Sequence, residues 1–587
     1  MISALRLGNF KAFARAQTIP IRPLTLLFGA NSAGKSSVIH GLALAHHALE
    51  TGDLDARYTR IGGESIDLGG FRQYVHRRDR ARRVEWALEL DTSDMTGPSA
   101  HFLRAAQLIS LELTIGGRLE GEAPRGQARD LAVRVDTFAL TADGHSFLKM
   151  SLRPDGQLHL DRLDHEHPIL RQAMTAILAL STTARSLQPE DFARVAEVID
   201  RVVPEIRGQV TGLLPQLAEN LEASEEEGES SFVTVSRGQR SEDLERAVRL
   251  LFPKALRDLV DRLTGHAAQA LRKLDYLGPL RSYPPRHLAF SEPQNLNWFA
   301  GGGFAWDVIR QRRDVRDKVN AWLGSPERLK TPYELVVRDL VPGPELPNEL
   351  GPRLTRAFHD LTAGLLRKVA ETGDQAGELV RLADELTREF DRLRADDPEI
   401  LLPDVEGFLS SLTDADALTE EWTREILERR ADPIQDLILI DKRTLTPLSH
   451  RDVGIGVSQV LPVLAHAYAA RDRWIAIEQP EIHLHPALQA ELGDVFLASA
   501  LGEQRNRFLL ETHSEHLILR ILRRIRETAD GELPEGAQPV TPDQIAVLYV
   551  QPTKDGAEVV HIPITEDGDF AHSWPEGFFP ERARELF

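Results

Sequence analysis

The chain has 587 residues, a formal net charge of −20 and no cysteine, so it is long enough for more than one domain and excludes a disulfide scaffold or a thiolate metal site. With a pI near 5.5 the molecule as a whole lacks the electrostatic footprint of a general nucleic-acid binder. The N-terminus shows no charged-then-apolar leader, and no apolar run approaches the ~20 residues of a membrane helix, so a cytoplasmic protein with no membrane partner is expected.

Along residues 1–160 strand-like runs alternate with turns: Ser3 to Leu7, Leu24 to Phe28, Val84 to Leu90, Leu108 to Ile115, Leu131 to Leu140 and Phe147 to Leu152. After the second run comes Gly29-Ala-Asn31-Ser32-Ala33-Gly34-Lys35-Ser36-Ser37, which fits the phosphate-loop pattern G-x-x-x-x-G-K-[ST]. A chance Gly-rich turn would lack the strand before it and the helical pattern Val38, Leu42, Ala45 after it. The chemistry requires these residue types: glycines let successive N–H groups face phosphate, Lys35 offers a mobile cation, and Ser36 offers a hydroxyl to Mg²⁺. ATP and Mg²⁺ are therefore the expected ligands. Arg72, Arg77, Arg78, Arg80, Arg82 and Arg83 form a cluster that reads as a solvated face first and a phosphate-contacting patch second.

From 161 to 432 the pattern turns helical, as in Leu379, Leu382, Leu386, Phe390 and Leu393, and it is read as a mostly helical insertion. Pro204, Pro215 and several glycines interrupt it too often for a long coiled coil, and Glu222 to Ser231 reads as a solvated loop. Within it, Tyr276-Leu-Gly-Pro-Leu-Arg281 and Arg286 offer arginines that could meet phosphate or a partner subunit, or pair with surface carboxylates.

The third segment, 433–587, resumes the α/β pattern. Gly454-Ile-Gly456-Val-Ser458-Gln459 opens a helix. Trp474 to Ile477 is a buried-strand run ending in Glu478, Gln479, Pro480 and Glu481. An acid at such a strand end after a phosphate loop is the Walker B arrangement, and Glu478 is the candidate that reaches Mg²⁺. Gln479, at the neighbouring position, can orient a water but cannot take its proton, which leaves Glu481 as the nearby carboxylate. His483 and His485 with Glu481 could be metal ligands if they shared a strand; a turn beside the nucleotide is the simpler reading. Phe508 to Leu510 is a further strand, ending in Glu511-Thr-His513, and Arg520, Arg523, Arg524 and Arg526 follow on a predicted helix.

This order of motifs resembles the split ABC-type ATPase heads of SMC, RecF and OLD (overcoming-lysogenization-defect) proteins. The run Glu-Gln-Pro-Glu-x-His-Leu-His-Pro most resembles OLD-like AAA-family ATPases, a group that includes the anti-phage Septu ATPase PtuA. The run from Trp574 to Glu581 resembles that subgroup's closing motif. The resemblance implies an α/β P-loop head with a β-subdomain and an inserted helical lobe. It also implies heads that pair head to tail as a homodimer or higher oligomer. In it, Gly456, Ser458 and Gln459 act as a signature in trans, and His513 senses the γ-phosphate. The pattern departs at Gly-Val-Ser-Gln in the signature and at Gln479 in place of the usual glutamate, so slow hydrolysis is expected. Asp543, Asp555, Asp567 and Asp569 are scattered among turns and do not make the acid cluster of the Toprim nuclease that some OLD relatives carry. A separate effector protein, with a nuclease as the candidate, and nucleic acid complete the expected partners.

Overall fold

The computed structural model describes residues 2–93, 103–119, 131–181, 189–210, 212–217, 240–283, 297–325, 328, 330–340 and 434–575. The Leu379 to Leu393 periodicity, the Glu222 to Ser231 loop, Arg286 and the closing motif beyond Pro575 lie outside these residues. The described chain divides into two compact units. One comprises 1–283, 292–331 and 451–587, and the other 284–291 and 332–450.

Strands are numbered along the chain: β1 (Ile2–Gly8), β2 (Gln17–Pro20), β3 (Leu24–Phe28), β4 (Tyr58–Thr59), β5 (Gly63–Asp67), β6 (Val84–Asp91) and β7 (Leu108–Leu119). They continue with β8 (Leu131–Ala142), β9 (His145–Leu152), β10 (Leu158–Leu163), β11 (Arg207–Val210), β12 (Pro215–Leu217) and β13 (Leu274–Leu277). The last are β14 (Tyr333–Leu340), β15 (Ile434–Asp441), β16 (Thr446–Leu448), β17 (Trp474–Glu478), β18 (Arg507–Glu511), β19 (Ile545–Pro552) and β20 (Ala557–His561).

The larger unit holds two principal sheets. A nine-stranded antiparallel sheet runs β12-β11-β10-β9-β8-β7-β6-β1-β2. Its strands alternate, as in β6, where Val84, Trp86, Leu88 and Leu90 are buried and alternate with Glu85, the small Ala87, Glu89 and Asp91. The second sheet runs β13-β17-β18-β3-β19-β20, with every pairing parallel except β19 to β20. Its central strands are continuous apolar runs because helices and the other sheet cover both faces: all five residues of β3 are buried, as are the first four of β17.

The helix Ser36–Thr51 lies in the core shared with the antiparallel sheet. Trp86 Nε1 donates to Gly41 O (3.3 Å), and a Cβ on Gly41 would stand 2.6 Å from Leu7 Cδ1. Any larger residue there would require the Leu7 side chain to shift. One strand, β18, separates the phosphate-loop strand β3 from the acid-ended strand β17, so the parallel sheet draws its strands from both ends of the chain.

In the described part of 161–432 lie the helices Pro168–Ser181, Pro189–Val202 and Arg240–Arg272. That part is not helical only. β11 and β12 extend the antiparallel sheet, and β13 pairs in parallel with the acid strand β17, Leu277 opposite Ile477. β13 has only four residues, too short to show periodicity, so the expected boundaries at 160/161 and 432/433 do not separate head from insertion. The smaller unit, in its described part, is the antiparallel sheet β14-β15-β16.

Candidate active site

The phosphate loop leaves β3 and enters the helix Ser36–Thr51. Gly29 (φ 143°) and Gly34 (φ 106°) take conformations closed to other residues, and each is also crowded: a Cβ would meet Val550 O at 2.3 Å and Ala12 Cβ at 2.4 Å, respectively. Ala30, Asn31 and Ser32 form the exposed tip, Ser32 with φ 61°, while Ala33, Lys35 and Ser37 are buried. No side chain caps the helix N-terminus; the N–H groups of Ser37 and Val38 donate to Gly34 O (3.0 Å) and Lys35 O (3.1 Å). Lys35 Nζ donates to Gly29 O (3.1 Å) and Ala30 O (3.0 Å), holding the loop on itself.

Two acid-ended strands meet this loop. In the register of β17 and β18, Glu478 is opposite Glu511, and Glu511 is opposite Leu27 of β3. Ser36 Oγ donates to Glu511 Oε2 (2.7 Å) and Lys35 Nζ is 3.9 Å from Glu511 Oε1. Tyr276 OH, on β13, donates to Glu478 Oε1 (2.9 Å). Burial and then the Glu511 charge raise the Glu478 carboxyl to about 7, and burial raises Glu511 too. Lys35 is lowered by burial, against the pull of Glu511, Glu481 and Glu478. Two like charges held side by side without full compensation favour protonation or a cation between them.

Lys11 supplies a second cation. Its Nζ is 2.6 Å from His40 Nδ1 on the loop helix, and burial lowers it to about 8 although Asp67 and Glu478 pull it up. Burial, then Lys11, lowers His40 to about 3, so the imidazole is neutral and its Nδ1 accepts a hydrogen bond from the lysine.

Gln479 turns the chain at φ 47°, its N–H donating to Glu511 O (2.7 Å). Glu481 is 7% exposed, and its Oε1 accepts the His513 backbone N–H (2.7 Å), tying the acid turn to the end of β18. The His513 side chain is exposed, and partial burial and then the Lys35 charge lower it. The histidines lie on a turn and not on a shared strand: His483 has φ 66°, and His485 caps the helix Pro486–Leu501 by accepting from Ala487 N–H (3.3 Å). Among the described residues no group of three or more His, Cys, Asp or Glu could by itself hold a metal ion. The chemistry of the donor set suits Mg²⁺ nonetheless, because that ion keeps waters and takes one or two carboxylates beside phosphate oxygens, and Glu478, Glu511 and Ser36 offer that many.

The signature helix Ile455–Ala469 begins at Gly454, with Ile455 47% exposed. Gly456 lies against the acid turn, where a Cβ would meet His483 O at 2.6 Å. Ser458 and Gln459 are buried, at 1% and 6%. The surface that this segment offers outward is Gly454 and Ile455, not the Ser458 hydroxyl. Arg281 is also buried, and it neither pairs with a surface carboxylate nor waits for phosphate: it donates to the carbonyls of Gln459, Glu478 and Gln479.

The arginines of the helix Glu515–Asp530 are spent on carboxylates, Arg520 on Glu491 and Asp494, Arg524 on Asp494 and Glu527, Arg523 on Glu527. In the first cluster Arg82 meets Asp79 and Asn9, and Arg83 meets Asp136, while Arg72, Arg77, Arg78 and Arg80 are exposed.

Glu511, Lys11 and Tyr276 were not among the candidates from sequence. Glu511 carried a usable signal, since it ends an apolar run just before Thr512-His513. Lys11 and Tyr276 carried none, because their place depends on which strands pair.

A family model described as "AAA domain, putative AbiEii toxin, Type IV TA system" matches residues 360–520, and one described as "Protein of unknown function (DUF3696)" matches 540–587. The first spans the signature helix, both acid-ended strands and His513, and supports a P-loop ATPase core. No curated protein matches. Three solved structures that resemble the chain are SMC heads. One is the SmcHead bound to the C-winged helix domain of ScpA, at 11% identity and a TM-score of 0.32, covering 96% of this chain and 98% of that one. A second, derived from Pyrococcus furiosus, is an Smc head with an extended coiled coil bound to the C-terminal domain of ScpA (10%, 0.30, covering 100% and 98%). The SMC head domain from Thermotoga maritima gives 7% and 0.30, covering 96% and 99%.

Proposed function

We propose that this chain is an ATP-binding, slowly hydrolysing ABC-type switch whose heads pair head to tail and whose nucleotide state controls a separate effector protein, with a nuclease of anti-phage defence as the candidate. The observation that carries this reading is the convergence of Lys35 and Ser36 on Glu511, with Glu478 beside it at the end of the next strand. The loop N–H groups and Lys35 bind the phosphates, and Lys11 adds charge from the side. Glu478, Glu511 and Ser36 would hold Mg²⁺, which supplies charge neutralisation at the phosphates. Gln479 orients the attacking water, and Glu481 fixes the backbone of His513, the γ-phosphate sensor. In the paired state the exposed Gly454 and Ile455 face the partner's nucleotide.

Gln479 favours a second reading, an ATP-held scaffold without turnover. The exposed Arg72, Arg77, Arg78 and Arg80 favour a third, a head that binds nucleic acid directly. Steady-state ATP turnover separates the first two readings. A rate below the ~1–100 s⁻¹ of typical phosphoryl-transfer enzymes is expected, and Gln479→Glu should raise it about tenfold by supplying a base. No turnover in either protein, with binding intact, would leave the scaffold.

A further inference from the structure

Arg281 stands just after β13 and is 5% exposed. Among the described residues no carboxylate is within ion-pair distance of it. Its Nη1 donates to Gln459 O (3.2 Å) on the signature helix, and its Nη2 donates to Glu478 O (2.9 Å) and Gln479 O (3.1 Å) at the acid turn. Gln459 Nε2 returns a hydrogen bond to Arg281 O (2.9 Å). Burying a guanidinium among carbonyls is expensive where an apolar side chain would fill the space, so its use here calls for a task that needs a fixed fork of donors.

The task is visible at Gln479. A non-glycine residue at φ 47° persists only when its surroundings over-determine it. Here the N–H is fixed by Glu511 O (2.7 Å) and the C=O by Arg281. With the guanidinium gone, the peptide is free to relax toward an ordinary φ and re-aim the carboxamide. We infer that Arg281 is a positioning residue for hydrolysis: it acts through Gln479, holding that side chain where it can orient water, and it locks this turn to the signature helix through Gln459. The inference rests on the hydrolytic reading of the site. It makes Arg281 the joint through which a partner seated on the signature helix would alter turnover.

The test is a mutant cycle on the full chain, with ATP affinity measured by calorimetry and turnover at saturating ATP. Arg281→Lys keeps the charge but loses the fork. Turnover should fall about tenfold while ATP Kd stays within about twofold, and Arg281→Lys with Gln479→Ala should be no slower than Gln479→Ala alone. Gln459→Ala removes only the return bond, and should show a smaller loss that likewise vanishes beside Gln479→Ala; it carries the same cycle should Arg281→Lys not fold. Losses that multiply in the double variant, or an affinity that falls in step with turnover, overturn the inference alone. A wild-type chain that binds ATP without turning it over overturns the hydrolytic reading and the inference with it.

Discussion

Glu478 and Glu511 at the phosphate loop, and Asp494 and Glu527 between the helices Pro486–Leu501 and Glu515–Asp530, are the same side-chain types handled in opposite ways. Asp494 takes Arg524 in two hydrogen bonds (2.7 and 2.8 Å) and Arg520 in a third (2.5 Å), and these arginines hold its carboxyl below the usual range although burial pushes it up. Glu478 faces another carboxylate and is raised to about 7. One cluster is complete in the protein alone. The other holds two opposed carboxylates that the proposed cation and phosphate would complete, the arrangement expected of a site and not of a support.

The largest expected break concerns the open cluster. Lys35→Ala removes charge-assisted contacts worth about 1.5–3 kcal/mol, so ATP Kd should rise by about tenfold to a hundredfold with the fold intact, as read by calorimetry. Unchanged affinity in a folded variant would remove the loop from the site.

In the closed cluster the effect should move to stability. Arg524→Ala leaves Asp494 and Glu527 without their shared fork and should cost about 2 kcal/mol, read as a lowered thermal midpoint, with ATP Kd unaltered. A variant that loses ATP binding without losing stability would erase the contrast.

The smallest effect sharpens the electrostatics of the open cluster. Between the ordinary carboxylate range and about 7 the unfolded chain has ionised Glu478 while the folded chain still holds its proton. Nucleotide-free stability from this group is therefore undiminished in acid and falls as pH rises through that window. Glu478→Gln should match the wild type near pH 4 and exceed it by up to about 2 kcal/mol at pH 8. Parallel stability curves for the two proteins would show that Glu478 is not held under strain.

Sequence legibility followed the same division. Gly29 to Ser36, the buried run ending in Glu478, and the strand before His513 were readable because each motif is local and its neighbours in sequence are its neighbours in space. Glu511 was passed over although it ends an apolar run just before Thr512-His513; its place between the loop and Glu478 comes from β18 lying between β3 and β17. Arg281 looked like a surface cation because a guanidinium is normally solvated; only the meeting of β13 with β17 shows that carbonyls enclose it. Ser458 was placed by resemblance, and the helix packs its hydroxyl inward.

The most direct measurement is a calorimetric titration of ATP into the full chain, once with Mg²⁺ and once with Mg²⁺ removed by chelation. The two opposed carboxylates predict saturable binding in the presence of Mg²⁺, weakened by about tenfold or more on its removal, because ATP alone would add negative charge beside Glu478 and Glu511. Absence of binding by the folded protein, or an affinity indifferent to Mg²⁺, would contradict the account.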